Sequence, residues 1–237
     1  MFLYYTRESK NSNMKNFAII VAGGMGERMK SEIPKQFLVI GQHPILMHSI
    51  SAFYEFDKYI EIIIVLPEDQ ITYWQQLCSE HSFNIKHKIV KSGETRFHSV
   101  KNAIELVEDE GIVAVHDGVR PLVSQNTIKR CFDTVTKLGN AIPFINIPDS
   151  IREVENNRNK PVDRLKYKLI QTPQVFLTKV IKKAYQQEYI PEFTDDASVV
   201  ETLGESINLV EGNRENIKIT SQVDILIAES LISKIGE

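Results

Sequence analysis

Between Ala22 and Phe37 the chain reads AGGMGERMKSEIPKQF, directly after the apolar run Phe17–Val21. Glycines carry no Cβ, so the backbone N–H groups of such a loop can crowd an anion. Arg28 and Lys35, seven residues apart, add positive charge to the same segment. Residues of these types at the end of a strand suit recognition of a phosphate-bearing ligand. They also suit a plain tight turn with two surface cations, since glycine loops are common. Two familiar phosphate loops do not fit. The dinucleotide fingerprint needs a third glycine three places after the second, and counted from Gly24 and Gly26 that place holds Met29. The Walker loop needs Gly-Lys-Ser/Thr five places after its first glycine, and counted from Gly23 that place holds Arg28.

Other residues carry chemistry only in context. Asp117 closes the apolar run Ile112–Val115 in the stretch VHDGVRP, with His116 beside it and no second ligand at zinc spacing. In SGETRFHSV (92–100), Ser92 or Thr95 suits the N-cap of a helix. In TDDASVVE (194–201), the pair Asp195 and Asp196 suits an N-cap with acids in the first turn, which the helix dipole favours. We read that pair as structural. Lys218, taken alone, is a surface lysine at a strand end. Cys78 and Cys131 lie far apart without metal spacing and read as reduced thiols.

The elements that must position these residues alternate. Short, nearly all-apolar runs at Phe17–Val21, Ile62–Leu66, Lys88–Val90, Ile112–Val115 and Ala141–Ile145 read as strands covered on both faces. Helical spacing lies between them at about 45–56, 68–82, 95–108 and 125–138. This alternation predicts an α/β fold, a Rossmann-like three-layer sandwich with a mostly parallel sheet. Ligands of such sheets sit at the carboxyl ends of the strands, where the glycine loop falls. The rhythm breaks at Pro148. The charged, turn-rich segment 149–168 has no core pattern and predicts a protruding β-hairpin arm, placed at about 149–170. A strand at Gln174–Phe176, helices at about 178–188 and 197–203, a strand at about 207–210 and a helix at about 221–234 complete the series. Residues 14–237 form one expected domain, and 1–13 read as a disordered extension or a misplaced start.

Composition bounds the partners. The net charge is −3 over 237 residues, so no global field attracts nucleic acid and an anion site must be local. No stretch approaches the ~20 apolar residues of a membrane span. The N-terminus lacks the apolar core and cleavage site of a signal peptide, so a cytoplasmic protein is expected.

Five motifs in order, AGGMGERM…PKQF, VHDGVRP, QTPQVF (171–176), TDDASVVE and EGNRENIKIT (211–220), resemble the 2-C-methyl-D-erythritol 4-phosphate cytidylyltransferase family over residues 16–235. The resemblance implies an enzyme in which a polyol phosphate attacks the α-phosphorus of CTP, releasing pyrophosphate and forming a CDP-polyol. Catalysis would then be positioning and electrostatic stabilisation, with no residue nucleophile. It implies catalytic cations at Arg28, Lys35 and Lys218. It implies a phosphate cradle from Ala22, Gly23, Gly24, Met25 and Gly26. Cytosine would be read by Gly93 and Glu94, with Arg96 and Ser99 beside them, and Gly118 would approach the nucleotide closely. Asp117, Arg120, Ser150, Arg164, Thr172 and Glu215 would meet the second substrate. Asp117 would also serve Mg²⁺, the expected cofactor. The arm would cross to a second copy of the chain, so that Arg164 completes the neighbour's site in a homodimer.

Two departures from the family pattern stand out. Gly118-Val119 replaces the commoner Ala-Ala, and Ser150 stands where threonine is more usual. A ribitol-5-phosphate cytidylyltransferase would share fold and loop, although TDDASVVE and the Val-Asp-Arg at 162–164 lean towards the methylerythritol enzyme. A nicotinamide-dependent oxidoreductase and a non-catalytic nucleotide-binding module are more distant alternatives.

Overall fold

The computed structural model describes residues 14–24, 33–108 and 110–235. The expected extension 1–13 lies outside them. The first strand, β1 (Lys15–Val21), runs parallel to β4 (Glu61–Leu66) on one side and β6 (Gly111–Asp117) on the other. Beyond β4 lies β5 (Lys88–Lys91), also parallel. Beyond β6 the sheet turns mixed. The strand β11 (Gln174–Leu177) pairs antiparallel with both β6 and β7 (Asn140–Asn146) and separates them. The sheet is completed by β10 (Lys168–Ile170), antiparallel to β7, and β12 (Leu209–Glu211), parallel to it. From β1 the chain thus builds outward in both directions, and the crevice at its carboxyl end is where an open α/β sheet binds ligands.

Alternation along the strands divides the core into two layers, as a sheet with both faces covered requires. Ala18, Ile20, Ile62, Ile64, Ile112 and Ala114 face one layer. There they meet α1 (Ile45–Phe56), α2 (Ile71–Glu80) and α4 (Gln125–Leu138) through Leu46, Ile50, Phe53, Trp74, Ile128 and Phe132. Phe17, Ile19, Ile63, Val65, Val113 and Val115 face the other. Their partners come from α3 (Arg96–Ile104), α5 (Thr178–Ala184) and α6 (Asp196–Glu201), among them Phe97, Val100, Ile181 and Val200. A third cluster gathers Ile40, Ile45, Val119, Leu122 and Ile219 under α7 (Gln222–Ile235).

The expected helices at 45–56 and 125–138 are found at those bounds. Others end short of their patterns. The span 68–82 opens as a 3-10 turn, Glu68–Gln70, before α2, while α3 stops at Ile104 and α5 at Ala184. A small hairpin, β2 (Val39–Ile40) with β3 (His43–Pro44), and the strand β10 had no sequence signal, being two or three residues long. The arm is a two-stranded hairpin of β8 (Ile151–Glu155) and β9 (Arg158–Val162), paired only with each other.

Candidate active site

The cleft opens at the carboxyl ends of the strands. Ala22 N–H donates to the Val65 carbonyl at 3.0 Å and Gly118 N–H to the Val21 carbonyl at 2.8 Å, so the loops after β1 and β6 leave the sheet side by side. Ser92 N–H donates to the Leu66 carbonyl at 2.8 Å, which brings in the loop after β5. The resulting cleft holds about 220 Å³. Ala22, Gly23, Gly24 and Lys35 form one wall, Gly93 to Arg96 and Ser99 another, and Asp117 and Lys218 close it. Met25, Gly26 and Arg28 lie outside the described residues.

Small residues are required here by close approach. A Cβ on Gly93 would lie 2.4 Å from that of His98, and the Gly93 N–H donates to the Ser99 hydroxyl at 3.1 Å. Thr95 caps α3, its hydroxyl accepting from the His98 N–H at 3.4 Å. The turn before α1 is held by Gln36, which is buried and donates to the Ala22 carbonyl at 3.0 Å and to Gln70 at 2.6 Å. Lys35 thereby sits on a fixed turn rather than a loose loop.

Asp117 is the electrostatic centre. Its Oδ2 lies 3.1 Å from Lys218 Nζ and 3.1 Å from Arg120 Nε, and its Oδ1 lies 4.0 Å from Arg96 Nε. Burial alone would raise its pKa, but Lys218, Arg96 and Arg120 together hold it well below the usual carboxylate range. Arg120 also donates to the Asn216 carbonyl at 2.8 Å, and Ile219 N–H donates to the Val119 carbonyl at 2.9 Å. These two bonds attach the segment carrying Lys218 to the loop after β6, 98 residues earlier counted from Arg120 (218 minus 120).

Behind Asp117 runs a buried polar chain. The Asp117 N–H donates to the Thr172 hydroxyl at 3.0 Å. His116 Nε2 lies 3.0 Å from the Arg120 carbonyl, which only accepts, so Nε2 carries the proton. Nδ1 is then the acceptor, and the Thr172 hydroxyl donates to it at 3.0 Å. Burial pushes the His116 pKa down to about 4, keeping the ring neutral.

Arg96 is held from the opposite side. Its Nη1 and Nη2 donate to the two oxygens of Asp196 at 3.0 and 2.6 Å, and Tyr185 donates its hydroxyl to Asp196 Oδ1 at 2.6 Å. Asp195 caps α6 in a capping box with Ser198, as the acid pair suggested.

A model of the 2-C-methyl-D-erythritol 4-phosphate cytidylyltransferase family matches residues 16–234. The chain belongs to this family. The Bacteroides fragilis 2-C-methyl-D-erythritol 4-phosphate cytidylyltransferase is 53% identical over 215 residues, covering 91% of this chain and 98% of that one. The Bacteroides thetaiotaomicron protein of the same name is 49% identical, covering 92% and 100%. Among solved structures, 4-diphosphocytidyl-2C-methyl-D-erythritol synthase from Anaerococcus prevotii superposes with a TM-score of 0.79 at 25% identity, over 93% of this chain and 96% of that one. The cytidylyltransferase family makes this chain a nucleotidyltransferase, and the oxidoreductase reading falls.

Within the cleft the fold gathers Ala22, Gly23, Gly24, Lys35, Gly93, Glu94, Arg96, Ser99, Asp117 and Lys218. Other expected site residues lie elsewhere. Gly118 does not line the cleft; a Cβ there would lie 3.0 Å from Ala22 Cβ and from Leu46 Cδ1, so it packs behind the wall and Val119 takes the lining position. Arg120 reaches the site through Asp117, and Thr172 through the backbone of Asp117. Glu215 accepts from Asn213 at 3.2 Å and lines a separate cavity between α1, the 121–125 loop and α7. Ser150 and Arg164 sit at the base of the arm, where Arg164 donates to the Pro148 carbonyl. Thr95, Gln36 and Val119 line the cleft without having been singled out as ligand contacts. The helix-start pattern pointed to Thr95, while Gln36 lies in the quoted PKQF stretch and Val119 beside Gly118 in VHDGVRP, where neither residue type by itself signals a ligand contact.

Proposed function

We propose that this cleft joins CTP to 2-C-methyl-D-erythritol 4-phosphate, giving 4-diphosphocytidyl-2-C-methyl-D-erythritol and pyrophosphate. The observation that carries the reading is the convergence of Lys35, Arg96 and Lys218 on the glycine-lined end of β1, around one ionised carboxylate. The polyol phosphate is already an anion, so its oxygen attacks the α-phosphorus without a general base, and the bond to the β-phosphate oxygen breaks as pyrophosphate leaves. Negative charge grows on the α-phosphoryl oxygens and the leaving group, and fixed cations stabilise it. Lys35 and Lys218 take the reacting phosphoryl group, a task the family resemblance gives to Arg28 as well. Gly93 and Glu94 meet the small pyrimidine base. Arg120, held beside Asp117, fixes the polyol phosphate, since a guanidinium fork can bond two phosphate oxygens.

Mg²⁺ belongs to this reading. A hard cation bound through one or two carboxylates plus substrate phosphates is the usual magnesium arrangement. Asp117 offers one ionised oxygen donor in the cleft, and among the described residues no group of three His, Cys, Asp or Glu side chains could hold a metal ion. When bound, Mg²⁺ would neutralise triphosphate charge, with Asp117 as its protein donor.

A homodimer through the arm also belongs to it. Val154 and Leu165 are 71% and 76% exposed on and beside the hairpin, apolar groups that a second copy would cover. Ser150 and Arg164 at its base would then serve the neighbour's polyol phosphate. Among the described residues no helix is long and apolar enough to cross a membrane. Two free thiols, Cys78 and Cys131, suit the reducing cytoplasm.

Pyrophosphate release from CTP and Mg²⁺, measured across a panel of polyol phosphates, tests the reading. Release with methylerythritol phosphate and far less with ribitol 5-phosphate is the expected result. The reverse preference, or CTP binding without release, would replace it by one of the alternatives.

A further inference from the structure

Asp196 is fully buried, 100 residues from Arg96 in the chain, yet both of its oxygens accept from that guanidinium. A buried carboxylate is costly unless paired and hydrogen-bonded. Here the pairing is bidentate, and the Tyr185 hydroxyl adds a third bond at 2.6 Å. The carboxylate is itself fixed to the sheet. Buried Gln174 of β11 donates to Asp195 Oδ2 at 2.7 Å and accepts from the Ala197 N–H at 2.8 Å, clamping the start of α6 on either side of Asp196.

The consequence lies at the other end of Arg96. With Nη1 and Nη2 engaged by Asp196, the Nε edge of the guanidinium is the edge turned to Asp117, at 4.0 Å from Oδ1. That carboxylate also holds Lys218 and Arg120, so the edge faces the phosphate end of the cleft. An arginine fork aimed in advance loses less freedom on binding than one that must be collected from solvent.

We propose that Asp196, supported by Tyr185, is a positioning residue that aims the Nε edge of Arg96 at the phosphate chain of the incoming nucleoside triphosphate. The inference rests on the cytidylyl-transfer reading and adds a specific task to it. Arg96 touches the nucleotide; Asp196 and Tyr185 act through Arg96 and touch no substrate.

Steady-state kinetics of Asp196→Asn, Tyr185→Phe, Arg96→Gln and the double variant Asp196→Asn/Arg96→Gln test it. The wild-type enzyme on the same substrates reports separately on the parent reading, because that reading fails if the wild type releases no pyrophosphate from CTP. Asp196→Asn is expected to raise KM for CTP by about tenfold or more, the scale of losing a charge-assisted hydrogen bond. KM for the polyol phosphate stays put, and inhibition by pyrophosphate weakens in step with CTP. The double variant should resemble Arg96→Gln alone, since the two residues act in series. Loss of kcat with an unchanged KM for CTP, or additive effects in the double variant, would overturn the proposal. Should Asp196→Asn fail to fold, Tyr185→Phe decides, because it keeps the ion pair. A raised KM for CTP at full kcat supports positioning, and a wild-type KM overturns it.

Discussion

Asp117 stands among three cations that would otherwise repel one another, and its charge lets Arg96, Arg120 and Lys218 be held close together in the folded chain. An incoming phosphate then finds its partners assembled. Lys35→Ala and Lys218→Ala should each lower kcat by about a hundredfold to a thousandfold, the scale of removing one preorganised donor. Single-turnover pyrophosphate release measures this, and near-normal turnover in either variant would remove that lysine from the mechanism. His116 makes a different expectation, about stability. Its folded pKa of about 4 lies below the ordinary ~6.5, so the unfolded chain binds the proton first as pH falls. The contribution is complete above about pH 6.5 and is lost progressively down to about pH 4, amounting to some ~3 kcal/mol. Urea unfolding of His116→Gln against the parent, from pH 7 to pH 4, should show a shallower decline in the variant. Lys35, Arg96 and Lys218 were legible because each sits in a local motif of recognisable order. The Arg96–Asp196 pair was not, since the partners are 100 residues apart and each motif reads sensibly as a helix start by itself.

At the level of elements, local pattern carried the regular parts and failed where pairing decides. The helices at 45–56 and 125–138 kept their bounds because their apolar stripes end at strong stops, Asp57 after one and the left-handed Gly139 after the other. The strand expected at Gln174–Phe176 is found as β11, but its direction was not legible, since periodicity is blind to whether a neighbour runs parallel or antiparallel. The hairpin of β8 and β9 was visible through the lack of a core pattern. It packs into neither layer of the core, so replacing residues 151–162 by a short turn should leave the melting temperature of the domain within a few degrees, roughly the ~1 kcal/mol scale. If the chain pairs through the arm as proposed, the same deletion should shift sedimentation from dimer to monomer and abolish most turnover. A fully active monomer would refute the shared site.

Across the whole molecule, stability and catalysis draw on different surfaces of one sheet. Ile64 is fully buried beneath α1 and α2, and Ile64→Ala should cost about 2–5 kcal/mol of unfolding free energy. Denaturation with saturating CTP should recover part of that loss by linkage, about 2.7 kcal/mol at a hundredfold excess over Kd. If CTP protects neither the parent nor the variant, the cleft is not where the nucleotide binds. The α/β class was legible because strands buried on both faces must be apolar throughout and helices must alternate with them. The third cluster under α7 was not legible, because it joins residues from Ile40 to Ala228 that share no period. That joining has a consequence during synthesis. A ribosome delivers the glycine loop early and Lys218 late, and bonds from Arg120, Val119, Gln171 and Thr172 to residues 213–219 draw the late segment home. The growing chain therefore cannot complete this cleft until the segment carrying Lys218 has emerged.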